Sequence, residues 1–194
     1  LGATKVMGNT ASGINYGLIG AITAEESATL VIDSADVQSV KDIVIEPRTN
    51  YTIGRFEVPM INDISRVGLM VTDVSRKNNP GTTVAGMDWN LGFLNNRLFS
   101  NGQVVRSDNN NITGNAIRFN LGYMDPFWWS ARFWYGHYDD EFNVNDLGYL
   151  RRNDTNWMGG RVEFRKQEPR GRFIYNDLEL KYMQEWRGDG LVLE

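Results

Sequence analysis

A chain of 194 residues, 41% hydrophobic and 23% charged, has the makeup of one ordinary folded domain. Its net charge of −4, with Lys and Arg scattered along the chain, excludes the basic surface that phosphate binding needs, so no nucleic-acid partner is expected. The chain has no cysteine, which removes disulfides and thiolate metal sites, and no apolar run reaches the roughly 18 residues of a spanning helix.

In chain order, the first strands are expected over 3–8 and 13–23, joined by a polar turn at 9–13. The alternation then weakens, and 27–45 reads as a long loop with short strands at 29–32 and 43–45. Further strands are expected at 50–59, 65–74, 82–94, 97–107, 115–124, 127–138, 146–152, 156–167 and 172–186. The period is clearest where Ile117, Phe119, Leu121 and Tyr123 alternate with Arg118, Asn120 and Gly122, and where Met87, Trp89, Leu91 and Phe93 alternate with Asp88, Asn90 and Gly92. Most of these segments are close to the ~9–11 residues with which a tilted strand crosses a bilayer. No window of a dozen residues carries apolar positions at helical spacing, so helix is expected to be nearly absent.

This pattern predicts an all-β fold, an antiparallel up-and-down transmembrane β-barrel of which the chain supplies about ten strands. Mean hydropathy is −0.41, which does not count against a barrel, because only alternate strand residues meet lipid. Both ends interrupt the strand pattern, 191–194 reading as the start of another strand, so 1–194 is expected to be one barrel segment inside a longer polypeptide. The connections at 95–96 and 125–126 look short, and those at 77–83 and 107–115 longer, polar and extracellular.

Aromatic residues gather at the predicted strand ends: Tyr123, Phe127, Trp128 and Trp129 around one turn, then Trp157, Tyr182 and Trp186. Amphipathic rings favour the headgroup level, so these seven are read as membrane-interface residues; a soluble core or a sugar-stacking platform is the other reading. Opposite the apolar positions fall Arg118, Arg132, Arg161, Glu163, Arg165, Asp177, Glu179 and Lys181. Mixed charges on one strand face suit a wet lumen, where they either contact a solute or fill the space and pair with one another.

Catalytic patterns are sparse. His137 is the sole histidine, which leaves no second imidazole for a metal and little basis for a catalytic triad. The oxygen-rich stretch Asp139, Asp140, Glu141, Asn143, Asn145 and Asp146 lacks the spacing of a calcium loop and reads better as a solvated turn. No enzymatic activity and no metal or cofactor is expected.

Residues 145–154, Asn-Asp-Leu-Gly-Tyr-Leu-Arg-Arg-Asn-Asp, are the most distinctive stretch of the chain. With Gly-Ala-Thr-Lys-Val-Met-Gly at 2–8, Gly-Leu-Ile at 17–19, Glu-Pro-Arg-Thr-Asn-Tyr at 46–51, Val-Gly-Leu-Met-Val-Thr at 67–72, Gly-Met-Asp-Trp at 86–89 and Phe-Leu-Asn-Asn-Arg at 93–97, they carry a resemblance. The chain resembles a bacterial outer-membrane family of unknown function whose members place a carbohydrate-binding family 9-like module ahead of a C-terminal β-barrel. The resemblance implies a bacterial outer-membrane location with lipid as the surrounding partner, other envelope proteins nearby, and a solute such as a saccharide. It carries over no catalytic residue. Arg151, Arg152 and Asp154, two adjacent guanidiniums beside a carboxylate, join Arg118, Arg132, Arg161 and Glu163 as candidates for solute contact, a structural ion-pair network being the other role open to them. A soluble all-β carbohydrate-binding or hydrolytic module is the alternative function.

Overall fold

The computed structural model describes residues 1–34, 37–166, 171 and 175–193. Among these, every regular element is a strand: β1 (Gly2–Asn9), β2 (Asn15–Ile22), β3 (Glu26–Ser34), β4 (Val37–Glu46), β5 (Thr49–Met60), β6 (Asn62–Arg76), β7 (Asn79–Phe93), β8 (Leu98–Asn109), β9 (Ile112–Met124), β10 (Trp129–Tyr138), β11 (Thr155–Lys166) and β12 (Asn176–Arg187). Ten of them form one sheet in the order β1-β2-β5-β6-β7-β8-β9-β10-β11-β12, and β3 and β4 pair only with each other. Each neighbouring pair is antiparallel. The meander therefore follows the chain, interrupted once by the β3–β4 hairpin. The sheet is open: β1 and β12 are its two edges and no ladder joins them.

Register assigns each residue to a face, because side chains directly opposite one another point the same way. One row runs Asn15, Glu57, Gly68, Asp88, Gln103, Arg118, Gly136, Trp157, Glu185 across nine strands. The next row, on the opposite face, runs Tyr16, Phe56, Leu69, Met87, Val104, Ile117, His137, Asn156, Trp186. Every further row on this second face, down to Trp129, Phe164 and Leu178, is free of Asp, Glu, Lys and Arg. Beyond these rows the second face carries Arg106, Asp73 and Asp108 toward one end and Lys166 at the other, while Arg55, Glu57, Asp88, Arg118, Arg132, Arg161 and Glu163 sit on the first face.

Few side chains are fully buried, and most lie at one end of the polar face. Val74, Thr82, Ser107, Ala116 and Thr155 share that parity near the ends of their strands. The 139–154 connection lies at this end; its buried Phe142 sits over Gly114 so closely that a Cβ there would strike its backbone. Phe142 stacks on Tyr138 with ring centroids 5.6 Å apart. Asn143 N–H donates to Ser107 Oγ at 3.0 Å. Further along, Asp146 accepts two hydrogen bonds from Arg76 of β6, at 2.5 and 3.2 Å. The connection thus starts at β10 and reaches a strand four places away in the sheet.

Several expectations are corrected. Residues 146–152 are not a strand but part of this connection, where Asn143 and Asn145 side chains accept from the backbone N–H of Asn145 and Leu150 and compete with ladder formation. The connections expected to be long at 77–83 and 107–115 contract to two residues each, because Asn78, Asn110 and Asn111 take the left-handed conformation that tight hairpins need. The 95–96 connection is instead four residues, with Leu94, Asn95 and Asn96 all left-handed. The two long excursions are 23–48 and 139–154, and both leave from the same end of the sheet. The loop expected over 27–45 is a hairpin of full-length strands; apolar residues run consecutively at Leu30, Val31 and Ile32, so no period of two is visible there. The start of a strand expected at 191–194 is a single bridge between Trp186 and Val192, and Glu194 lies outside the described residues. The predicted strand at 172–186 begins at Asn176, with 172–174 outside the described residues.

Candidate functional site: a charged trough on the polar face

The middle of the polar face forms an open trough of about 590 Å³. Its floor is built from paired rows of short strands of sequence with polar, then small, then aromatic members. Arg118 stands at the centre, opposite Gln103 on β8 and Gly136 on β10. Asp88 lies opposite Gln103 on the other side and holds Arg55 in a two-point hydrogen bond at 2.8 and 3.0 Å. Arg55 also reaches Glu57 at 3.2 Å, and Asn15 Nδ2 donates to that same carboxylate at 3.1 Å. Both Arg55 and Glu57 are therefore committed to partners. Asn120 Nδ2 donates to Asn101 Oδ1 at 2.8 Å in the next row.

Two tryptophans line the other side of the trough, and glycine explains their position. Trp157 is directly opposite Gly136 and Trp134 directly opposite Gly159. In each case a Cβ on the glycine would collide with the indole, so the ring lies down over a bare backbone. Phe99 over Gly122 repeats the device one row on, and Arg132 sits above that phenyl ring, 5.5 Å from its centroid.

The sequence candidates separate in space. Arg118 lines the trough. Arg132, Arg161 and Glu163 line a smaller adjoining cleft of about 220 Å³. There Arg161 bridges Glu163 at 2.9 Å and Glu179 at 2.8 Å, with Arg165 also on Glu163, so this group is a satisfied ion-pair network. Arg151 and Arg152 are exposed in the 139–154 connection and form no ion pair among the described residues. Asp154, at the end of that connection, accepts from Gly188 N–H at 3.0 Å and from Arg187 at 3.3 Å, which ties the connection to the turn after β12. Arg55, Asp88, Gln103, Asn101, Asn120 and Trp134 complete the trough, and the signal that finds them is strand parity joined to register.

The aromatic candidates also divide. Tyr123 and Trp129 belong to the apolar face and pack at 4.9 Å between centroids. Trp128, in the turn before β10, stacks on Phe164 at 5.8 Å and contacts Trp129 at 6.4 Å. Phe127 in the same turn is 82% exposed and Trp128 56%. Trp186 sits on the apolar face at the opposite end. Tyr182 is on that face too, but in mid-strand beside Gly160, and Trp157 is on the polar face. Neither of these last two stands at a strand end of the apolar face.

His137 closes the apolar face at the end where the 139–154 connection begins. Its Nδ1 lies 2.7 Å from Asn156 Oδ1 and its Nε2 2.8 Å from Asp139 Oδ1, so both ring nitrogens are engaged. Burial raises the Asp139 carboxyl, but hydrogen bonds from the Asn115 N–H and side chain and from His137 outweigh it, and the group titrates below the ordinary carboxylate range. Asp146 is likewise held low, by the Arg76 guanidinium against a smaller cost of burial. Among the described residues no three carboxylate or imidazole groups converge as a metal site.

These features define an antiparallel all-β domain with one face whose middle rows are free of charge and one charged, tryptophan-lined face. The chain belongs to a family described as a domain of unknown function (DUF5916), whose model matches residues 1–190. No curated protein and no solved structure matches it.

Proposed function

We propose that this domain is part of the wall of a β-barrel in a bacterial outer membrane, with its apolar face in lipid and its polar face toward an aqueous lumen through which a solute such as a saccharide is handled. One observation carries the reading: from the row joining Gly8 and Tyr16 to Trp186 down to Trp129, Phe164 and Leu178 the apolar face carries no charged side chain, with Phe56, Leu69, Met87, Leu121, Leu178 and Leu180 all exposed. Proteins surrounded by water seldom show contiguous apolar patches above a few hundred Å². From His137 to Trp129 the face extends about 26 Å along β10 at ~3.3 Å per residue, comparable with the apolar band of about 25 Å on outer-membrane barrels. The Tyr123, Trp128 and Trp129 cluster at one margin, with Trp186 at the other, supports the same placement. Closure of the wall then requires β1 and β12 to meet each other or further strands.

The test is fractionation of cells carrying the full-length protein, followed by electrophoresis of detergent extracts with and without heating. Recovery in the outer membrane, with mobility that changes on heating, is the expected result. Recovery free of membranes without detergent would overturn the reading and leave a water-borne all-β carbohydrate-binding or hydrolytic module in its place.

A further inference from the structure

We propose that the trough around Arg118 binds a carboxylate-bearing oligosaccharide. The inference deepens the solute-handling reading and rests on its view that the polar face is open to water. Three observations combine. First, the trough's volume of about 590 Å³ lies within the ~300–1,000 Å³ of small-molecule sites. Second, its polar groups are of two kinds. Arg55 and Asp88 neutralise each other, and the amides of Gln103 and Asn120 offer both donors and acceptors, which suits hydroxyl groups. Third, Arg118 and Arg132 form no ion pair among the described residues, although both belong to a face where other arginines find carboxylates.

The placement of those two arginines is what selects an anionic ligand. Arg132 lies opposite Gly122, four residues beyond Arg118 on β9, so the two backbones are about 13 Å apart at ~3.3 Å per residue. Between them stands Trp134, opposite Asn120, with one indole face against Gly159 and the other available. A sugar ring offers an apolar C–H face to such an indole and hydroxyls around its edge to the amides. Carboxylates on flanking sugar units then meet the two guanidiniums, each able to make the paired N–H···O contacts that arginine favours. A neutral oligosaccharide gains the stacking and the hydroxyl contacts but leaves both arginines without an anionic partner.

The experiment is calorimetric titration of the full-length protein in detergent with trigalacturonate, its methyl ester and maltotriose. Saturable binding of trigalacturonate is expected, with the ester and maltotriose at least tenfold weaker. Arg118→Gln and Arg132→Gln should each weaken trigalacturonate about tenfold, whereas Arg151→Gln, on the exposed connection, should leave it unchanged. Wild-type heat-modifiable mobility of the variants shows that they are folded. Equal binding of acid and ester, no binding of trigalacturonate, or full binding by a folded Arg118→Gln, Arg132→Gln double variant would each overturn the inference. An outer-membrane protein that fails to bind overturns the ligand alone; a membrane-free protein that binds overturns the barrel alone.

Discussion

The two ends of the sheet solve the problem of its polar and apolar faces differently. At the end where the 139–154 connection leaves, a loop folds back over the polar face and makes a small interior from Val74, Ala116 and Phe142 with Thr82, Ser107 and Thr155. At the other end no described residue folds back over that face, and the turn before β10 pushes Phe127 and Trp128 outward beside the apolar face. A single sheet has no second layer to bury against. The interior it does possess is supplied by a connection, and stability should concentrate there.

The largest effect should come from removing the centre of that interior. Phe142→Ala is expected to cost about 3 kcal/mol or more, the loss for a large buried aromatic, measured as a lower unfolding midpoint in detergent. Trp128→Ala at the opposite end should cost much less, and a comparable loss at both ends would erase the contrast. Next in size, Gly136→Val forces Trp157 off the backbone it covers, an overpacking expected to cost about 1–3 kcal/mol. Its indole emission should shift to longer wavelength as the ring meets water.

Smaller again is the pin between Arg76 and Asp146. Asp146→Asn should destabilise the fold by about 1 kcal/mol and raise the rate of limited proteolysis within 139–154 while leaving the aromatic end intact. Acid should act on the same contact. Asp139 and Asp146 both titrate below their unfolded value, so their stabilisation is complete above about pH 3.9 and fades as pH falls from there through the lower folded values. Proteolytic release of the connection is therefore expected only in acid, and release on raising the pH would contradict it. Arg151→Gln is the smallest, within about 0.5 kcal/mol, since Arg151 is exposed and unpaired among the described residues.

Much of the sheet was legible because its period is short. The stretches 85–93 of β7, 117–123 of β9 and 129–135 of β10 carry apolar residues at every second position, and alternation alone separates Arg118 from Ile117 or Asp88 from Met87. The β3–β4 hairpin was not legible, since Leu30, Val31 and Ile32 show no alternation. The turns were misjudged for a different reason. Asparagine marks a turn, but whether Asn110 and Asn111 close a two-residue hairpin or open a loop depends on backbone dihedrals that composition does not encode. The trough was half legible. Strand parity places Arg118 and Arg132 on one face, yet which residues of β7 and β8 stand opposite is a matter of register. Residues 145–154 drew notice as a motif, while their course across the polar face to Arg76 depends on a contact between residues 70 apart.

The open margins of β1 and β12 bear on how this domain behaves when handled alone. Each margin carries a row of backbone groups without a ladder partner, and the bridge from Trp186 to Val192 satisfies only a short length of one of them. Such margins are templates for strand addition. The domain alone should therefore polymerise edge to edge even where detergent covers its greasy surface, and a substitution such as Met7→Lys, on the polar side of the β1 margin, offers a way to keep it as single particles for study.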